Sequence, residues 1–169
     1  MDNKTDLRIW AKSLRKTLNI SAKSLIIVDK IRSLVCYQNA KNVMLFYPKI
    51  YEVDLRSLLD DNKNFYLPRV SGDELLVCPY EKNDKLNVSS LNIYEPSSNP
   101  IKPELLDLLI VPALAVDKMS YRLGYGGGFY DRFLARYKVK SIVPIFKELI
   151  VDELPVESFD FPVDIVVSD

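Results

Sequence analysis

The decisive stretch runs from Leu108-Leu-Ile-Val-Pro112 to Arg122-Leu-Gly-Tyr-Gly-Gly-Gly-Phe-Tyr-Asp-Arg132. A short apolar run closed by proline reads as a buried strand. The glycine run after it gives way to a helix from about Phe129 to Tyr137. Four of the chain's five glycines (Gly124, Gly126, Gly127 and Gly128) fall in this one window. A tight turn needs one or two. Consecutive glycines let the backbone approach a ligand closely and expose successive N–H groups as an anion nest. A loop between a strand and a helix N-terminus is where α/β folds bind ligands.

Working outward, the same alternation recurs. Residues 4–18 form an amphipathic helix with Leu7, Trp10, Ala11, Leu14 and Leu18 on one face. Lys4, Arg8, Lys12 and Arg15 make a basic stripe over about 80° of the helical wheel beside it. Ser21 reads as the N-cap of a second helix to about Tyr37, with Leu25, Val28 and Ile31 inward. Val43–Tyr47 is a buried strand stopped by Pro48. Glu52-Val-Asp54 leads into a short helix through Leu55, Leu58 and Leu59. Strands follow at Phe65–Leu67, ending at Pro68-Arg69, and at Leu75–Cys78. Residues 82–103 form a polar surface excursion with one short strand near Leu86. Val139–Ile145 and Asp164–Val167 are the last strands. Strands alternating with helices indicate an α/β fold with a largely parallel sheet.

Composition narrows the chemistry. The 169 residues suit a single domain, 1–169, and Lys plus Arg balance Asp plus Glu at 23 each. Nothing global points to nucleic acid or an anionic membrane. The absence of histidine excludes Ser-His-Asp and Cys-His catalysis and imidazole zinc sites. Cys36 and Cys78 form no CxxC motif and read as buried reduced thiols. No transmembrane-length stretch or apolar leader is evident, so a cytoplasmic protein is expected. The glycine run is neither a Walker A loop, which needs Lys and Ser or Thr after its second glycine, nor a dinucleotide fingerprint, which needs glycine where Phe129 stands. On these residues alone the chain is an α/β domain that binds phosphate.

Several motifs taken in order are more specific. They are Lys4-x-x-Leu7-Arg8, Glu52-Val-Asp54, Pro68-Arg69, Tyr121 through Arg132, and Leu154-Pro-Val-Glu157-x-x-Asp160-x-Pro-Val-Asp164. Together they resemble the 5-formyltetrahydrofolate cyclo-ligase family over essentially the whole chain. The resemblance implies a three-layer α/β sandwich and a ligase. The reaction implied is ATP- and magnesium-dependent cyclisation of 5-formyltetrahydrofolate to 5,10-methenyltetrahydrofolate, with ADP and phosphate released through an iminium phosphate. It puts Lys4, Arg8, Arg122, Leu123, Gly124, Tyr125, Gly126, Gly127, Gly128, Phe129 and Tyr130 on ATP. Tyr47, Glu52, Tyr125, Gly126, Gly127, Gly128 and Phe129 face the folate. Arg122 and Glu52 are the catalytic pair, and Asp131 and Asp160 hold Mg2+. Arg132 offers further electrostatic support or pairs with Asp131. The implied substrate is 5-formyltetrahydrofolate, with or without a polyglutamate tail, acted on by a monomer. Phe129 stands where the family commonly has tyrosine, Leu55 where it has threonine, and Phe159 where it has histidine. Two alternatives stay open here: a non-catalytic ATP/folate-binding protein on the same scaffold, and a sugar-phosphate-binding relative.

Overall fold

The computed structural model describes residues 3–169. Its first helix, α1 (Lys4–Arg15), starts where the Asn3 side chain accepts the Asp6 N–H, and ends short of the expected Leu18. The second, α2 (Ile20–Ser33), is capped by Asn19, whose side-chain oxygen accepts the Ala22 N–H at 3.2 Å, so Ser21 lies inside the helix. The side-chain oxygen of Asn19 satisfies an orphan first-turn donor, which places the cap there and not at Ser21. Leu34 turns extended and splits off α3 (Val35–Asn39). The buried face of α2 is Ser24, Ile27, Val28 and Ile31. Leu25 points outward, against expectation, because the buried face centres on Ser24, Ile27 and Ile31 and Leu25 lies about 100° round the axis from Ser24.

The strands are β1 (Asn42–Met44), β2 (Asn64–Ser71), β3 (Glu74–Pro79), β4 (Leu86–Val88), β5 (Tyr94–Pro96), β6 (Leu108–Ile110), β7 (Ala115–Asp117), β8 (Arg122–Leu123), β9 (Lys140–Ile145), β10 (Ile150–Val151) and β11 (Ile165–Ser168), with α4 (Phe129–Arg136) between β8 and β9. The main sheet has the order β11-β9-β6-β1-β2-β3. All its pairings are parallel except β2 with β3. Leu108, Leu109 and Ile110 are all fully buried. Successive strand residues point to opposite faces, so both faces of the sheet are covered, as a three-layer arrangement requires. Each such side chain contributes about 1.5–3 kcal/mol by burial.

The second strand runs through Pro68 instead of stopping there. In the β2–β3 ladder Pro68 pairs with Val77, and Val70, two residues on, sends its N–H away from β3 to Glu95 Oε1 at 3.0 Å. By the period of two, Pro68's nitrogen points to that same side, where β1 has already ended its pairing at Tyr66. The ring therefore removes no ladder bond. The polar excursion carries a hairpin, β4 with β5, where one strand was expected. A second small sheet, β10-β7-β8, was not expected at all. Its strands are too short to show a period. Both cysteines are free, Cys78 buried and Cys36 half-buried.

Chain order in the main sheet reverses at β1. From there β2 and β3 build outward on one side, and β6, β9 and β11 on the other. The carboxyl ends of β1 and β6 therefore face an open crevice, the position where such sheets bind ligands.

Candidate active site

That crevice is a cavity of about 500 Å³. Phe46 and Tyr47 from the end of β1, and Pro112 after β6, form part of its wall. Every residue singled out above for ATP, folate or metal lines it: Lys4, Arg8, Tyr47, Glu52, the run Arg122 to Asp131, and Asp160.

The small sheet builds the phosphate-like end. Buried Asp117 accepts the N–H groups of Met119 and Tyr121 on one oxygen, both at 2.9 Å, and that of Leu154 on the other at 3.2 Å. The Asp117–Tyr121 turn delivers Arg122 on β8. The segment after Leu154 brings Glu157 and Asp160 beside it. Arg122 is a strand residue, and its side chain is only 3% exposed. Its Nη2 lies 3.1 Å from Asp131 Oδ1 without an aligned N–H. Neither Nε nor Nη2 donates a hydrogen bond. Burial pushes the guanidinium's pKa down, and the nearby Asp131 carboxylate opposes this. A buried cation with idle donors is costly unless an anion meets it.

The glycine loop then curls around this cation. Gly126 has φ +109° and Gly128 φ +66°, the second being the N-cap of α4. L side chains seldom adopt either. A Cβ on Gly127 would sit 2.5 Å from the Phe129 ring. Arg8 Nε donates to the Gly124 carbonyl at 2.9 Å, and Arg132 Nη2 to the Gly127 carbonyl at 2.9 Å. Arg132 thus fastens the loop from outside, and Asp131 pairs with Arg122 instead. The basic stripe of α1 faces the loop: Lys12 lies 5.8 Å above the Tyr125 ring, and Arg15 Nη1 donates to the Tyr125 hydroxyl at 3.0 Å.

The other end is apolar with one carboxylate. Glu52 is buried. Its Oε1 accepts the Tyr125 hydroxyl proton and its Oε2 accepts the Lys49 N–H at 2.8 Å. Burial first, and then the Glu52 charge, push the Tyr125 phenol above its ordinary value, so it stays a donor. Tyr47 packs against Tyr80 and Tyr94 at ring-centroid distances of 6.3 and 5.2 Å. Leu91 and Ile93 from the β4–β5 hairpin close the rim, tied by Lys49 Nζ donating to the Leu91 carbonyl at 3.2 Å.

The acids at the phosphate-like end suit a hard cation. Asp160 Oδ2 accepts from Lys4 Nζ at 2.6 Å and from the Glu157 N–H at 2.7 Å. Asp131 Oδ1 accepts the Phe161 N–H at 3.1 Å. Each carboxylate so keeps one oxygen uncommitted, the type of donor magnesium takes together with phosphate oxygens and water. Among the described residues no group of three or more His, Cys, Asp or Glu side chains could hold a metal alone. Desolvation lowers Lys4's proton affinity, but Asp160 and Glu157 outweigh it, and its pKa is raised overall.

Lys49, Arg15, Leu91 and Ile93 escaped the sequence reading. Lys49 follows Pro48 with no motif around it, and Leu91 and Ile93 sit in a stretch read as surface. Arg15 was visible only as part of a stripe. Arg69, part of a quoted motif, instead donates from Nη1 to the carbonyls of Pro96 and Ser98 at 3.0 and 2.9 Å, holding the hairpin against β2.

Comparison with known proteins gives one consistent result. A profile of the 5-formyltetrahydrofolate cyclo-ligase family matches residues 4–169. The chain is 34% identical over 150 residues to the 5-formyltetrahydrofolate cyclo-ligase of Haemophilus influenzae, covering 80% of each. It is 29% identical over 187 residues to that of Mus musculus, covering 97% of this chain and 92% of that one. Among solved structures, the 5,10-methenyltetrahydrofolate synthetase of Aquifex aeolicus superposes with a TM-score of 0.84 at 32% identity, over 97% of this chain and 88% of that one. The synthetase of Mycoplasma pneumoniae superposes with a TM-score of 0.80 at 22% identity over 99% of both chains, a likeness of fold.

Proposed function

The chain belongs to the 5-formyltetrahydrofolate cyclo-ligase family, and we propose that its cleft closes 5-formyltetrahydrofolate to 5,10-methenyltetrahydrofolate, driven by ATP. The enzyme is of the ligase class. The observation that carries the ATP assignment is Arg122, a buried guanidinium with Nε and Nη2 idle in the wall of a cleft rimmed by glycine amides.

The N5-formyl group is an amide, whose carbonyl is a poor electrophile and whose oxygen is a poor leaving group. The formyl oxygen attacks the γ-phosphorus of ATP, ADP leaves, and an iminium phosphate results. The N10 amine adds to the activated carbon, its proton is taken up, and phosphate departs with the former formyl oxygen. The protein's work is positioning and charge neutralisation. Arg122, Arg8 and Lys4 meet the phosphates together with the N–H groups of residues 124–128, while Leu123, Phe129 and Tyr130 shape the nucleotide end. Arg122 meets the transferring group. Tyr47, Tyr125, Phe129 and the loop glycines enclose the pterin. Glu52, its two oxygens already oriented, accepts a hydrogen bond from the pterin or from N10. Asp131 and Asp160 are the residues that would hold Mg2+, which would supply positive charge against the phosphate oxygens.

The substrate carries or lacks a polyglutamate tail, and the enzyme acts as a cytoplasmic monomer without nucleic-acid or membrane partners. Among the described residues no helix is long and apolar enough to cross a membrane. The test is spectrophotometric detection of methenyltetrahydrofolate from 5-formyltetrahydrofolate, with and without ATP and with and without Mg2+. Product that forms only with both supports the proposal. Folded protein that binds both substrates and yields none overturns it.

A further inference from the structure

Arg15 closes α1 and is buried at 4% exposure. The negative end of the helix dipole there favours a cation. Its contacts do not resemble a structural ion pair. Nη1 donates to the Tyr125 hydroxyl at 3.0 Å, Nη2 donates to the Ala113 carbonyl, and Nε donates to nothing. Among the described residues no carboxylate pairs with it directly; the hydroxyl it meets in turn donates to Glu52.

We propose that Arg15 is a positioning residue for Glu52, acting through the Tyr125 hydroxyl. The inference rests on the reading of Glu52 as the carboxylate that faces the folate. A phenol has one proton, and its oxygen accepts as well. With Arg15 on the accepting side, the proton is committed to Glu52 Oε1. The Lys49 N–H holds Oε2, so both carboxylate oxygens are fixed in direction.

The remaining charged or titratable neighbours do not substitute for Arg15. Lys12 and Lys49 lie over the Tyr125 ring, 5.8 and 5.2 Å from its centroid, and neither donates to the hydroxyl. Tyr130 is neutral, its phenol pushed above the ordinary range by burial. The second arm of the fork adds register. Ala113 follows Pro112, which lines the cavity, so one guanidinium ties the cleft floor after β6 to the glycine loop and, through it, to Glu52. A lysine has no planar fork to span both.

The test is a double-mutant cycle of Arg15→Met and Tyr125→Phe, read in two ways: kcat and KM for each substrate, and calorimetric titration of the free protein with 5-formyltetrahydrofolate without ATP. Arg15→Met is expected to lower kcat/KM for the folate about tenfold or more, the size of one hydrogen bond to a charged group. KM for ATP should stay within about twofold. Tyr125→Phe should do the same, and the double variant should lose no more than either alone. Arg15→Lys should restore little. If Arg15→Met misfolds, Tyr125→Phe with Arg15→Gln completes the cycle.

Additive losses, or a folded Arg15→Met with unchanged folate binding and turnover, overturn the inference while wild-type activity stands. Wild-type protein that binds the folate without turning it over refutes the reaction assigned above, and the binding cycle still decides Arg15. Wild-type protein that does neither removes both.

Discussion

Replacing Arg122 with methionine separates a structural from a functional guanidinium, because the two roles predict opposite effects on stability. Methionine keeps an unbranched chain in a site where the native side chain is 3% exposed. Two idle buried donors each cost about 1–3 kcal/mol, so removing them relieves about 2–6 kcal/mol. The opposing loss is the 3.1 Å contact with Asp131, whose carboxylate is 16% exposed and keeps the Phe161 N–H. That loss is about 1–3 kcal/mol. The difference leaves nucleotide-free Arg122→Met between about 1 kcal/mol less and about 5 kcal/mol more stable than the native chain, with Tm moving by about 2–4 °C per kcal/mol. Function moves the other way. Losing a cation at the transferring phosphate costs about 2–4 kcal/mol, which is about 30- to 1000-fold in kcat/KM for ATP. Thermal melts with and without Mg-ATP, beside initial rates of methenyltetrahydrofolate formation, measure both. ATP at a hundred times its Kd should stabilise the native chain by about 2.7 kcal/mol, and the variant far less. A fall of more than about 5 °C in the nucleotide-free Tm, or native turnover in the folded variant, would refute the reasoning.

Other substitutions probe separate parts of the site and fold. Gly127→Val puts a branched side chain where even a Cβ lies 2.5 Å from the Phe129 ring. Far-ultraviolet circular dichroism should be retained and ATP binding lost, and native ATP affinity by calorimetry would return the loop to a purely structural part. Asp160→Asn should raise the Mg2+ concentration needed for half-maximal turnover several-fold, and an unchanged magnesium dependence would leave Asp160 only its pairing with Lys4. Lys23 bridges Glu148 and the nearly buried Asp169 at 2.7 and 2.5 Å. Lys23 lowers the Glu148 pKa from its ordinary 4.5; at Asp169 desolvation acts upward, and Lys23 together with the Lys147 N–H outweighs it, lowering that pKa from 3.8. Carboxylates depressed in the fold contribute stability above their unfolded values and lose it as pH falls through the folded ones. Lys23→Met should therefore cost about 1–2 kcal/mol in urea unfolding at pH 7, with the gap closing below about pH 4. A gap that does not change with pH would assign the loss to packing.

The sequence by itself determined what depends on neighbours along the chain. Apolar runs such as Leu108–Ile110 and Ile142–Ile145 are strands because β-rich stretches bounded by turn residues have few other ways to bury themselves. The glycine window marked the loop that lines the cavity, because a tight turn alone needs fewer glycines together. Short or capped features were less legible. The strands β7, β8 and β10 are shorter than the period that would reveal them, and the start of α2 turned on which of Asn19 and Ser21 reached the first-turn amides.

Tertiary structure alone decided which charges meet. Nothing local distinguishes Lys4, Arg8 and Arg15 from a solvated stripe, and only the family resemblance carried Lys4 and Arg8 to the site. Arg8 reaches Gly124 across 116 residues and Arg15 reaches Tyr125 across 110. Strand order makes those contacts, because reversal at β1 opens the crevice and the β7–β8 hairpin turns Arg122 into it. Whether a guanidinium is solvated, paired or buried with idle donors follows from that packing, since desolvation belongs to the folded surroundings of a group and has no counterpart in its place along the chain.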